Sequence, residues 1–271
     1  MFSDNNYLFH RDNGIFSPQR AAGSPWSETM KHGGPVNAIL TMSVEEVAQD
    51  LGFQIARLTI DILKPVAMKP VGLATQLLRK GGQMAVVDAF LTVEGSDEVV
   101  ASARAVLLKH LQGTEPVFDT SRAVAETRRD IASEPWIPEE VVPLLPAGMH
   151  NLIRFHPSVD KERPIYWINA NVGMLQDRAM TPVEQCATVA DMTTVIATRM
   201  CAVQEGNDNP NIMGLMNTNT TIHLSRPPEG EWFGFCDHFL QAADGYGVAE
   251  CTLFDEQGCI GKVTQNLIVK A

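Results

Sequence analysis

The sequence lacks most of the features that assign a protein at once. It has five cysteines (Cys186, Cys201, Cys236, Cys251 and Cys259), all in the second half of 271 residues. No two form a CxxC pair, and an odd number, which leaves one thiol over, argues against a disulfide framework. A reducing cytoplasm is the location this favours. No apolar stretch reaches the ~18 residues of a membrane span, because Thr, Asp, Lys or Gly interrupts each one. The opening MFSDNNYLFHRDNG has neither the basic start nor the apolar centre of a secretory signal. Positive charge is also scarce: 21 Lys and Arg stand against 32 Asp and Glu, a formal net charge of −11. A broad nucleic-acid footprint needs clustered cations and is excluded on that count. A small anionic ligand is not, since a few local amides and cations can hold one. Missing too are GxSxG, GxxxxGK[ST], GxGxxG and the metal spacings CxxC, HxxxH and HExxH. No metal or cofactor is expected.

What is present is a duplication. Arg57-Leu-Thr-Ile-Asp-Ile-Leu-Lys-Pro65 reads against Asn219-Thr-Thr-Ile-His-Leu-Ser-Arg-Pro227, with Thr59 on Thr221 and Lys64-Pro65 on Arg226-Pro227. Further on, 93–109 reads against 254–270, each a strand, a polar turn and a second strand ending in an aliphatic run and Lys. That alignment sets Arg104 opposite Gln265. The repeat is far too long for a solenoid and implies two copies of a domain.

Each copy carries a helix before its strands. Val36, Leu40, Val44, Val47 and Leu51 recur at three- and four-residue steps, with Gly52 placed to end the helix. Thr181-Pro182-Val183-Glu184 is a capping box with proline at the first helical position, and predicts a helix to about Met200. Between the copies, 113–148 holds five prolines and many charges. It reads as a connector, with a short helix near Ser121 to Ile131. The expected layout is α+β: domain 1–112, connector 113–148 and domain 149–271.

A duplicated helix-then-meander unit, with His32-Gly33-Gly34-Pro35 opening the first helix, resembles the double-hotdog acyl-CoA thioesterases of the thioesterase II type. The similarity rests on that stretch, on Arg57 to Pro65, on Thr218 to Pro228 and on Thr264-Gln265-Asn266-Leu267. It implies a double hotdog, two tandem repeats each an antiparallel sheet wrapped around one long helix. It also implies hydrolysis of an acyl-CoA or other acyl thioester by a water that an Asp, a Ser or Thr and a Gln activate. Those positions fall on Asp191, Thr221 and Gln265, with Thr218 or Thr220 as alternatives to Thr221. Where Ser225 stands the family often has His, which leaves the strand register open. One chain equals a simple hotdog dimer, so further pairing into dimers or tetramers is compatible with the layout.

Physical chemistry adds to this. A carboxylate beside a buried stripe, as at Asp191, needs partners and can act as a general base; a solvated flank is the plainer reading. Thr221 shares its strand face with His223 and Ser225 by alternation, and could be an ordinary strand threonine. Gln265 interrupts an apolar strand with an amide that both accepts and donates, suiting it to position water; a solvent-facing residue is the plainer reading. His32, Gly33, Gly34 and Asn37 form a second candidate group, where side-chain-free residues would let a thioester carbonyl reach helix-start amides. Cys186 and Cys201 read as buried and inert. A hydratase would need an Asp/His pair, for which His223 with Asp191 is the candidate. The main rival is a non-catalytic acyl-CoA or lipid-binding protein.

Overall fold

The computed structural model describes residues 6–109, 111, 133–156, 162–206 and 214–270. The short helix expected near Ser121 to Ile131 lies outside them. The described strands form one 14-stranded antiparallel sheet that wraps two helical cores.

In the first half, α1 (Gly33–Leu51) is buried on nearly all sides, through Val36, Ile39, Leu40, Met42 and Val44. A helix apolar all round belongs inside a protein, and each such side chain contributes roughly 1.5–3 kcal/mol by leaving water. It ends as expected at Gly52, whose φ of 70° is the left-handed conformation glycine adopts without strain. Around it lie β1 (Phe9–Asp12), β2 (Ile15–Pro18), β4 (Val71–Lys80), β5 (Met84–Val93), β6 (Val99–Leu108) and β3 (Gln54–Ile62), in that spatial order. The second half continues from β3 with β11 (Asn219–Leu224), β14 (Gly258–Val269), β13 (Tyr246–Asp255), β12 (Phe233–Ala243), β9 (Tyr166–Ala170), β8 (Ile153–His156) and β7 (Glu134–Pro135). A short strand, β10 (Leu215–Asn217), pairs with β14 off this path. The α+β double hotdog is thus the fold, with the two copies joined where β3 meets β11.

Three expectations need correction. The second half does not hold one long helix. Its capping box is formed, but α2 (Pro182–Ala190) stops after nine residues and α3 (Thr193–Glu205) leaves at 58°. The stretch from 133 is not a loose tether either. Its β7 pairs with β8, and Trp136 is buried in the core. The duplication also has a different register. Thr59 and Thr221 face each other across the seam, and their partners on β6 and β14 are Arg104 and Thr264. Arg104 therefore corresponds to Thr264, and Gln265 corresponds to Ala105. A one-residue slip reverses which face a strand residue occupies, so the sequence pairing of Arg104 with Gln265 set an outward residue against an inward one.

No single helix among the described residues is long and apolar enough to cross a membrane.

Candidate active site

The two halves enclose a cavity of about 830 Å³. Asp191 reaches it from the break between α2 and α3. Its carboxylate is buried, and it contacts both halves at once. Oδ1 accepts from Nδ2 of Asn217 at 2.9 Å, and Oδ2 lies 3.0 Å from Nδ1 of His32. Gly33 makes this approach possible, because a Cβ there would sit 2.2 Å from Oδ1. Burying a carboxylate costs several kcal/mol unless it is paired or hydrogen-bonded. Glu184 is buried as well, but Arg178 grips both its oxygens at 2.7 and 3.1 Å and leaves it no chemistry. Among the described residues Asp191 has only the imidazole of His32 as an ionisable partner.

His32 stands at the N-cap position of α1, with Nδ1 3.1 Å from the amide of Gly34. The same atom cannot accept from that amide and donate to Asp191. A proton on Nδ1 is the better arrangement, because a bare lone pair there would face a carboxylate oxygen.

The break that presents Asp191 is held by Gln265. In an unbroken helix the Thr194 amide would donate to the Ala190 carbonyl. Here Oε1 of Gln265 accepts that amide at 2.9 Å and the Thr194 hydroxyl at 2.6 Å. Its Nε2 lies 3.2 Å from the carbonyls of both Ala190 and Asp191. The amide side chain has replaced a missing rung of the helix ladder, a recognised cause of a kink. Nε2 also lies 2.9 Å from Oγ1 of Thr220. Gln265 is 1% exposed and lines none of the cavity wall.

The threonine beside Gln265 is therefore Thr220. Thr221 lies on the opposite face of β11, hydrogen-bonded to Thr59 at 3.2 Å across the seam, and does not join Asp191 or Gln265. Alternation along the strand sends the two threonines to different sides. His223 follows Thr221 and is exposed, so the expected pairing of His223 with Asp191 does not form; His32 takes that place. Thr218 lines the cavity. Of the glycine group, His32 and Gly33 line it and Gly34 and Asn37 do not. Gly34 lets α1 pack on α2, since a Cβ would meet Met149 at 2.5 Å and the Thr188 carbonyl at 2.9 Å. Asn37 is fully buried and donates to the Ala187 carbonyl at 3.2 Å, clamping the two helices.

Sequence reading missed three polar residues here. Asn217 gave no signal, being an ordinary residue one step ahead of the Thr218 motif. His150 lines the cavity and is 2% exposed. Burial, and then the neighbouring imidazole of His32, push its pKa down to about 4, so it is neutral at neutral pH. Lys31 turns its ammonium onto the carbonyls of Ala67 and Lys69, and burial lowers its pKa to about 8. The cysteines are free. Burial pushes the thiols of Cys186 and Cys251 far up, away from any nucleophilic role. Among the described residues no three His, Cys, Asp or Glu converge as metal ligands.

Comparison with known proteins agrees with this architecture. Residues 22–108 match the family model of the acyl-CoA thioesterase N-terminal domain, and residues 119–269 that of the C-terminal domain. A search of curated protein sequences gave no match. Among solved structures, a presumptive thioesterase II from Thermobifida fusca YX is similar with a TM-score of 0.70 at 13% identity, covering 99% of this chain and 98% of that one. A hot dog fold protein of unknown function from Alicyclobacillus acidocaldarius gives 0.66 at 15%, over 99% and 97%. An acyl-CoA thioesterase II from Mycobacterium marinum gives 0.62 at 14%, over 97% and 94%. At such identities the likeness is one of fold.

Proposed function

The chain belongs to the acyl-CoA thioesterase family, and on that premise we propose that it hydrolyses an acyl-CoA thioester with a water activated by Asp191. The observation that carries this reading is the buried carboxylate of Asp191 in a cavity between the halves, held by Asn217 and His32 and, among the described residues, neutralised by no arginine or lysine. Such a group can take a proton from water. The hydroxide attacks the thioester carbonyl, and the tetrahedral oxyanion receives the amide hydrogen of Gly33 at the positive end of α1. The intermediate collapses with release of the CoA thiolate, which takes up the proton. His32 and Asn217 orient the base. Gln265 and Thr220 act through the backbone, holding the break on which Asp191 stands. They are positioning residues, and Thr221 has no part.

The test is release of free thiol from acyl-CoAs of graded length, followed with a thiol-reactive dye on wild type and Asp191→Asn. The expected result is turnover by wild type and a loss of at least 100-fold in the variant, with its melting temperature little changed. Full activity in Asp191→Asn would refute the base. Tight acyl-CoA binding without thiol release would make this a binding protein.

A further inference from the structure

Arg199 lies two turns along α3 from the break, on the face shared with Val195, and lines the same cavity as Asp191. Its guanidinium carbon stands 4.2 Å from the centre of the Trp136 ring and 5.9 Å from that of Phe155. Both rings are buried. Arg104, Arg178 and Arg226 each meet a carboxylate. Among the described residues no Asp or Glu pairs with Arg199. Burial lowers its pKa, and the Tyr166 phenol offsets only part of that effect. The two rings offset part of that cost through their π faces, by roughly 0.5–2 kcal/mol. They cannot satisfy its fork of five N–H donors. The cavity it lines is also walled by Ile137, Met192, Val195 and Leu215. A cation in such walls is a poor neighbour for a plain hydrocarbon tail and a good one for a carboxylate, which matches the guanidinium in shape and charge.

We propose that Arg199 receives a carboxylate at the far end of the acyl chain, so that the preferred substrates are thioesters of dicarboxylic acids. The proposal rests on the thioesterase reading above. Eight residues separate Asp191 from Arg199, about 12 Å in a straight helix, and the 58° bend shortens that span. A diacid of about five to eight carbons fits it, at roughly one to 1.5 Å per bond. The nucleotide of CoA has another place to go. Trp26 and Leu63 form an exposed rim of the cavity, and Lys270 stands over Trp26 at 5.6 Å from its ring centre. That rim carries its own cation for the phosphates.

The experiment compares kcat/KM for adipyl-CoA and suberyl-CoA with hexanoyl-CoA and octanoyl-CoA, on wild type, Arg199→Gln and Arg199→Lys. The ratio of diacid to monoacid, taken on one preparation, cancels any loss of folded protein. Wild type should favour the diacids at least tenfold. Arg199→Gln should erase most of that preference through KM, and Arg199→Lys should keep part of it. Calorimetric binding of S-(5-carboxypentyl)-CoA, a thioether that cannot be hydrolysed, should weaken at least tenfold in Arg199→Gln. A wild-type enzyme with no diacid preference, or a ratio unmoved in Arg199→Gln, overturns the proposal. An equal loss for every CoA ester that spares acyl-pantetheines also overturns it, and assigns Arg199 to the nucleotide phosphates. Thioether binding that depends on Arg199, without thiol release from any ester, would uphold the carboxylate site and refute the hydrolase.

Discussion

The two halves of this molecule share one plan and differ where the chemistry lies. Ten residues past its cap, the first helix carries Met42, buried in an unbroken helix; ten past Thr181 the second carries Asp191, at a break. Beneath the first helix the strand pair offers Leu58 and Ala105, both buried and apolar. Beneath the second it offers Thr220 and Gln265, equally buried and polar. An amide under a helix can compete for its backbone groups, and an alanine cannot. The polar pair and the broken helix are thus one feature. The first half keeps the regular helix and contributes its start, where His32 and Gly33 meet the carboxylate of the second.

Gln265→Ala, which gives the second half the residue of the first, tests this most severely. It strands the Thr194 amide and leaves the Ala190 carbonyl only the Thr193 hydroxyl, and should cost about 1–3 kcal/mol, read by urea unfolding. Thiol release should fall at least tenfold, in kcat rather than KM, as Asp191 shifts. The next effect is at the contact between the halves. Gly33→Ala places a Cβ against the Asp191 carboxylate and should cost about 1–3 kcal/mol, with a lowered kcat. An unchanged kcat would mean that Gly33 and Asp191 need not touch.

The pH profile gives a smaller effect. His150 titrates near 4 when folded, below the ordinary histidine value of 6.5. Between those values the unfolded chain binds more protons than the folded one, so stability is full above about 6.5 and is lost as pH falls toward 4. His150→Gln should flatten that limb in urea midpoints measured from pH 7 to 4. The least effect belongs to Thr221→Val, which removes a half-buried hydroxyl whose hydrogen bond runs to Thr59 across the seam. A stability change within about 0.5 kcal/mol is expected, with turnover unaltered. Thr220→Val, one residue away, should lower both.

The capping box at Thr181, the glycine end of the first helix, the alternation of the strands and the duplication were all legible in the chain. Each is set by interactions within a few residues or by a repeated pattern. Asp191 and Gln265 were singled out by the family resemblance, since the local pattern alone read more plainly as a solvated flank and a solvent-facing strand residue. What the chain left open was which strand face holds which residue, because Thr220 and Thr221 satisfy the same local pattern and only the ladder with Thr264 separates them. The helix break had no local cause to read, since no proline or glycine marks it; it is imposed by an amide 71 residues away from Thr194. Asn217, His150 and Arg199 became candidates only when the sheet closed around one cavity and left their polar groups facing it. Local sequence determined the elements and the copies. The meeting of His32, Asp191 and Asn217 was decided by packing, because their contacts join positions that no short-range preference connects.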